Sequence, residues 1–247
     1  MKPLSELRVL VITGAGISAE SGIPTFRGPG GLWRNFDPAK LATESAFRSD
    51  PQLVWDWYRE RREKIHACQP NAAHRAVVQL AAGARDCLLV TQNVDDLHAR
   101  AAWRGQHLPP EKLVQIHGDI FVTRCSRCAF SCRGAETDAH GVPNCPECGA
   151  RLRPGVVWFG ESLPSREVER VETFLARGQC DLVLVIGTTA LFGYIVQWAI
   201  DAKAATGQLI EVNPEETPLS AFATETIRQP AAVILPALIE RLRHEPP

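Results

Sequence analysis

Four cysteines set as two C-x2-C pairs, Cys125 with Cys128 and Cys145 with Cys148, constrain this 247-residue chain more than any other feature. Each pair puts two thiols on one turn, and the sixteen residues between the pairs let the four sulfurs close a tetrahedron around one zinc ion. The segment from Cys125 to Arg153 is otherwise polar, with Gly and Pro and almost nothing apolar to bury, so it needs a source of order other than a core. Four protein ligands leave no open position for water, which makes the metal structural; disulfides or redox thiols are the other readings of the spacing. Cys132 falls outside the pairs, and it and Cys68, Cys87 and Cys180 are expected to be bystanders, small and buried.

Outside that segment, short runs rich in Val, Ile and Leu recur between helix-like stretches: Val9 to Ile12, Leu88 to Val90, Leu182 to Ile186, Leu209 to Val212 and Val233 to Leu235. Their hydrophobicity is continuous rather than alternating, which suits strands buried on both faces of a parallel sheet. The first strand is predicted over Arg8 to Thr13. Helices are predicted from the Asp50-Pro51 cap, from Asn71 to near Gly83, over Pro164 to Arg177 and over Tyr194 to Ala204. The fold class expected is α/β, a Rossmann-like parallel sheet with helices on both faces and a small inserted four-cysteine zinc module. With no repeat, low-complexity tract or long linker, a single domain is expected over residues 1–247. Its large part should comprise 1–120 and 155–247, the zinc module about 121–154, and a helical insertion about 30–70.

Composition excludes several classes. Apolar residues make up 45% and charged residues 22%, ordinary for a globular chain. A net charge of −1 offers no footprint for nucleic acid or an anionic membrane surface, so neither is expected as a partner. No apolar run approaches the roughly 20 residues that cross a bilayer. A strand starting at Arg8 leaves no room for a signal peptide, and the expectation is a soluble cytoplasmic protein in a reducing compartment. The oligomeric state stays open.

The first strand runs directly into Gly14-Ala15-Gly16-Ile17-Ser18-Ala19. In the order strand, glycine turn, helix, Gly14 permits a tight turn, Gly16 lets the backbone approach a pyrophosphate, and the small Ala19 allows close helix packing. The acidic residue that a standard ribose clamp places about 20 positions on is not evident. Three further polar groups follow apolar runs: Thr91-Gln92-Asn93-Val94-Asp95, Gly187-Thr188-Thr189 and Asn213-Pro214-Glu215. Open α/β sheets bind ligands at the ends of their strands, and hydroxyl, amide and carboxylate groups there suit ribose hydroxyls and a carboxamide, although each group alone would serve as a turn. His117-Gly118 follows the run Leu113 to Ile116; an imidazole there could act as a general base or be purely structural, and no nucleophile or carboxylate orienter stands near it in sequence.

These motifs, with the fifteen-residue run Gly14 to Gly28 and Val157-Trp158-Phe159-Gly160-Glu161, resemble the sirtuins over nearly the whole chain and in that family's order. The resemblance implies NAD as co-substrate, one structural zinc, and an acyl-lysine protein or peptide lying between the two parts of the fold. It implies attack of the acyl oxygen on the ribose carbon bearing nicotinamide, with His117 as the base toward a ribose hydroxyl and Asn93 beside it. The products are lysine, nicotinamide and an acylated ADP-ribose. Around NAD it places Gly14, Ala15, Gly16, Ala19, Glu20, Thr25, Phe26, Arg27 and Trp33, then Gln92, Asn93, Asp95, Gly187, Thr188, Thr189, Asn213, Pro214 and Glu215. Val157, Trp158, Phe159 and Gly160 pair with the substrate backbone as an added strand.

Ala42, Tyr58 and Arg61 resemble the desuccinylase branch of the family. Tyr58 and Arg61 stand at i and i+3 on one helix face, where a phenol and a guanidinium can share a carboxylate, and Ala42 leaves room for a longer acyl chain. The charge run from Arg59 to Lys64 is otherwise a solvated helix face. The activity expected is NAD-dependent deacylation of succinyl-lysine or malonyl-lysine with some deacetylation. The alternatives are a plain deacetylase, a mono-ADP-ribosyltransferase, or a non-catalytic NAD-sensing scaffold. Asp96, Asp119 and the loop from Gly187 to Tyr194 depart from the family pattern, which bears on the adenosine side of the cofactor site.

Overall fold

The computed structural model describes residues 2–26, 31, 37–134 and 141–244. Chain order runs from β1 (Arg8–Thr13) through a 3-10 turn (Ala15–Ser21) to α1 (Pro38–Leu41), α2 (Glu44–Ser49), α3 (Pro51–Ala67), α4 (Ala72–Gly83), β2 (Asp86–Thr91) and α5 (Leu97–Arg100). It continues with β3 (Ala102–Trp103), β4 (Gln106–His107), β5 (Leu113–Gln115), β6 (Gly118–Cys125), β7 (Ser131–Arg133), β8 (Leu152–Val156) and α6 (Ser165–Ala176). Then follow β9 (Cys180–Ile186), α7 (Gly193–Ala202), β10 (Lys203–Val212), β11 (Glu225–Ile227) and α8 (Ala231–His244).

The main sheet has the order β11-β10-β9-β1-β2-β5, and every neighbouring pair is parallel. The chain winds outward from β1 to β2 and β5, then crosses back to build β9, β10 and β11 on the other side. That reversal opens a crevice between the carboxyl ends of β1 and β9, where doubly wound folds take their ligands. The continuous apolar runs have a simple cause. Val9, Val11, Leu89 and Leu184 enter one core with α4 and α8, while Leu10, Ile12, Leu88, Val90, Val183 and Val185 enter the other with α6 and α7. Both faces of β1, β2 and β9 are therefore buried.

The helix starts read from sequence are realised by side chains. Asp50 accepts from the Leu53 amide, and Asn71 accepts from the Ala73 amide at the head of α4. Four expectations need correction. Val233 to Leu235 is not a strand but part of the opening turns of α8, because Ala231, Leu235, Leu238, Ile239 and Leu242 recur at helical spacing against the core while Val233 points to solvent. The glycine motif leads into a 3-10 turn and not a full helix. The helix expected to reach Ala204 ends at Ala202, where β10 takes over. The short strands β5 and β11 went unassigned, being only three residues each at the two edges of the sheet.

A second sheet, β7-β6-β8, is antiparallel and carries the cysteine pairs. It is not without a core. Cys125, Cys145 and Leu152 pack in one apolar cluster with Phe47, Trp55 and Trp158, so α2 and α3 form the wall against which this sheet rests. The Trp55 indole donates to the Leu152 carbonyl at 2.9 Å, and Arg62, which stacks on Trp55, donates to the carbonyls of Ile120 and Val122.

Candidate active site

A cleft of about 570 Å³ lies between the carboxyl ends of the main strands and the helices and strands of the smaller sheet. Its floor is backbone. Gly14 takes an extended conformation, with φ −128 and ψ −172, so turn strain does not demand a glycine there. Space does: a Cβ on Gly14 would lie 2.8 Å from both the Gly187 carbonyl oxygen and the Thr188 Cβ. Gly187 is left-handed at φ +59 and donates its N–H to the Val212 carbonyl, joining the ends of β1, β9 and β10. The close approach read from sequence as room for a pyrophosphate is thus first a packing of backbone on backbone.

Polar side chains knit these strand ends. Gln92 donates its amide to Thr188 Oγ1 at 2.9 Å, and Asn213 donates to the Thr188 carbonyl at 2.7 Å. Deeper down, Ser18 is a hub absent from the sequence-based set. His74 Nδ1 accepts from the Asn71 amide, which leaves the proton on Nε2 to point at Ser18 Oγ at 3.4 Å. Ser18 also accepts from the Asn93 amide at 3.1 Å and donates to Asp95 Oδ2 at 3.0 Å. Burial pushes the Asp95 carboxyl up to about 6, against the pull of the Leu97 amide and the Ser18 hydroxyl. Asp95 does not line the cleft; it lies beneath Asn93 as a buried support.

His117 stands in the turn between β5 and β6 and lines the cleft. Its Nδ1 stands 3.0 Å from the Gln92 carbonyl oxygen, which can only accept, so Nδ1 carries the proton and Nε2 carries the lone pair. Tyr194 donates its hydroxyl to that Nε2 at 2.5 Å, its ring stacked on Phe192 and edge-on to Trp198. Burial holds the imidazole below its ordinary pKa, opposed by the Gln92 hydrogen bond, so the ring is neutral at physiological pH. The orienter missing from the sequence reading is therefore a main-chain carbonyl and a tyrosine from the first turn of α7.

On the other side of the cleft stand Ala42, Tyr58 and Arg61, together with Val157, Trp158, Phe159 and Gly160. The Tyr58 oxygen accepts from the Trp158 indole at 3.0 Å. The Arg61 guanidinium lies over the rings of Phe26 and Trp57, 4.8 and 4.6 Å from their centroids, and forms no ion pair with any carboxylate among the described residues. Along the Val157 segment, the N–H groups of Val157, Trp158 and Phe159 are committed to the His117 carbonyl, the Glu161 carboxylate and the Ala42 carbonyl. An added substrate strand must find its donors elsewhere.

The cysteine sulfurs of Cys125, Cys128, Cys145 and Cys148 lie within 4.8 Å of one another, with Cys125 to Cys148 at 3.4 Å and Cys128 to Cys145 at 3.6 Å. A zinc–sulfur bond near 2.3 Å sets a tetrahedral edge of about 3.8 Å, so the four fit a zinc ion. The amides of Arg127 and Cys128 both point at Cys125 Sγ, the donor pattern that suits a ligating thiolate. Cys132 takes no part.

Of the residues placed around NAD from sequence, Gly14, Ala15, Gly16, Ala19, Glu20, Thr25, Phe26, Gln92, Asn93, Gly187, Thr188, Thr189, Asn213, Pro214 and Glu215 all line the cleft. Arg27 and Trp33 lie outside the described residues. The Glu20 carboxylate is turned to the Ala232 amide in the first turn of α8. Phe192, Pro230 and Ala231 line the cleft as well and were not among the residues placed there from sequence, being apolar and outside the polar strand-end motifs.

Comparison with known proteins places this geometry in context. The profile of the Sir2 family matches residues 14–192. The chain is 42% identical over 247 residues to the NAD-dependent protein deacylase 1 of Archaeoglobus fulgidus, covering 98% of this chain and 96% of that protein. It is 45% identical over 233 residues to an NAD-dependent protein deacylase of Ralstonia nicotianae, covering 94% and 91%. Among solved structures, a Sir2 homologue in complex with NAD superposes with a TM-score of 0.85 at 41% identity, covering 98% of this chain and 92% of that one.

Proposed function

The chain belongs to the Sir2 family, and from that premise we propose that it is an NAD-dependent protein lysine deacylase that prefers acidic acyl groups, succinyl or malonyl, over acetyl. The relatives' names and the NAD complex of a homologue support the deacylase reading and NAD as co-substrate. The glycine floor and the Gln92, Thr188 and Asn213 cluster would hold NAD, which supplies the ribose carbon that accepts the acyl oxygen. Asn93, held by Ser18, would orient the nicotinamide and ribose side. His117 would take the proton of a ribose hydroxyl at Nε2, the atom its tautomer leaves basic, with the substrate hydroxyl displacing the Tyr194 hydroxyl that donates to that nitrogen here. Cys125, Cys128, Cys145 and Cys148 would hold one zinc ion in a purely structural role.

The acyl preference rests on one observation: Arg61 is a cleft-lining guanidinium with no carboxylate partner among the described residues, beside the buried phenol of Tyr58. A half-buried cation without a counter-ion is costly, and a ligand carboxylate would relieve it through charge-assisted hydrogen bonds. The small Ala42 on the same wall leaves length for a four-carbon acyl chain.

The test is kcat/KM for one peptide carried as succinyl-lysine and acetyl-lysine forms, measured by nicotinamide release for the wild type and Arg61→Met. A succinyl preference that this substitution erases supports the reading. Acetyl favoured equally in both proteins would leave a plain deacetylase.

A further inference from the structure

We infer that Trp158 is a positioning residue for acyl-group selection: by donating its indole N–H to the Tyr58 oxygen it leaves the Tyr58 proton as the phenol's one polar offering to the cleft. The inference rests on the acidic-acyl reading and deepens it. A phenol has one proton to give and an oxygen that accepts in its ring plane. The Trp158 indole occupies the accepting side at 3.0 Å, and the Tyr58 proton has no acceptor among the described residues. Tyr58 is 3% exposed, so water cannot easily supply one. A buried donor in that state favours an acyl group that brings an acceptor, and it penalises one that ends in a methyl. Donation into the phenol oxygen also polarises its O–H bond, which strengthens the hydrogen bond it gives in turn.

The indole is held firmly enough to play this part. Its ring meets Phe47 at 5.4 Å between centroids, and the Arg153 guanidinium lies over it at 3.3 Å. Its own amide donates to Glu161 Oε2 at 2.8 Å. Arg153 donates to the same Glu161 carboxylate and, at 2.9 Å, to the Val156 carbonyl, while Arg124 reaches Glu161 at 3.2 Å from the far side. Glu161 and Arg153 thus fix Trp158 by backbone and by ring, Trp158 fixes the Tyr58 hydroxyl, and Tyr58 with Arg61 faces the acyl group. The selective pair seen in sequence is supported by a wall of residues outside the NAD site.

The test is a double-mutant cycle on selectivity. Trp158→Phe keeps an aromatic ring beneath Arg153 and removes the N–H. It is expected to lower the ratio of kcat/KM for succinyl over acetyl peptide about threefold to tenfold, the worth of one hydrogen bond, chiefly through a higher KM for the succinyl peptide. In a Tyr58→Phe background the same substitution should leave the ratio unchanged, because the group through which it acts is gone. Equal losses on both peptides, or a ratio effect that persists without the Tyr58 hydroxyl, would overturn the role. A wild type without succinyl preference overturns it together with the acidic-acyl reading, whereas a wild-type preference that survives Trp158→Phe overturns it alone. Should Trp158→Phe fail to fold, the Trp158 indole N–H proton resonance is the second measure. It should move on adding succinyl peptide to the wild type and not to Tyr58→Phe, and identical shifts in both proteins would refute the link.

Discussion

Gly16 and Gly187 meet backbone to backbone: Gly16 donates its N–H to the Gly187 carbonyl at 2.8 Å, and a Cβ on Gly16 would fall 2.6 Å from the Gly187 Cα. The neighbour is main chain and cannot swing aside. Gly16→Ala is therefore expected to destabilise the fold by about 1–3 kcal/mol, the usual cost of overpacking, and to lower the melting temperature by several degrees. Because the displaced backbone is the cleft floor, NAD binding should weaken as well. A variant that melts like the wild type would mean that the two loops separate without cost.

The His117 imidazole must be neutral to accept a proton, and burial lowers its pKa. The acid limb of kcat/KM against pH should therefore lie below the ordinary imidazole value of about 6.5, with activity lost as pH falls through the limb. His117→Ala should reduce kcat/KM by roughly 10²- to 10⁴-fold across the range. An acid limb above 6.5 would show that a neighbouring negative charge outweighs burial.

Much of this site was legible in the sequence because its chemistry is local. The glycine run, the groups after β2, β9 and β10, and the paired cysteines each sit within a few residues, and strand ends converge by the rules of a parallel sheet. What was not legible depends on contacts between distant segments. Ser18 is one serine among several until Asn93, Asp95 and His74 are folded around it, and Tyr194 lies 77 residues from the imidazole it touches. The strand expected at Val233 to Leu235 failed for a related reason. Three apolar residues fit either period, and only the buried positions at Leu238, Ile239 and Leu242 decide for a helix.

The zinc prediction follows from a shared core. Cys125 and Cys145 pack with Trp55, Phe47 and Trp158, so a metal held by their thiolates would brace α3 as well as the small sheet. One zinc per chain is expected by elemental analysis. Its removal by a chelator, or Cys145→Ser, should lower the melting temperature and reduce turnover, because the wall that carries Trp158 and Tyr58 loosens. Full stability after complete chelation would leave the apolar cluster as sufficient by itself.

Asp95 gives the opposite case, a group that burdens the fold. Its carboxyl titrates near 6 in the folded chain and near 3.8 when exposed, because burial disfavours the charge. Between those values the native state holds a proton that the unfolded state has released, so this contribution to stability is complete below about 3.8 and is lost as pH rises through about 6. A shift of that size corresponds to about 3 kcal/mol. Asp95→Asn removes the titration and keeps an acceptor for the Leu97 amide. It should therefore flatten stability between pH 4 and 7 relative to the wild type and raise it most at neutral pH, as measured by denaturant midpoints at both ends. Turnover should fall at the same time, because Ser18 loses the carboxylate to which it donates while holding Asn93. A buried charge that weakens the fold and strengthens the reaction is the trade expected at an active site. An Asp95→Asn protein with an unchanged pH slope would show instead that the carboxyl is solvated in the native state.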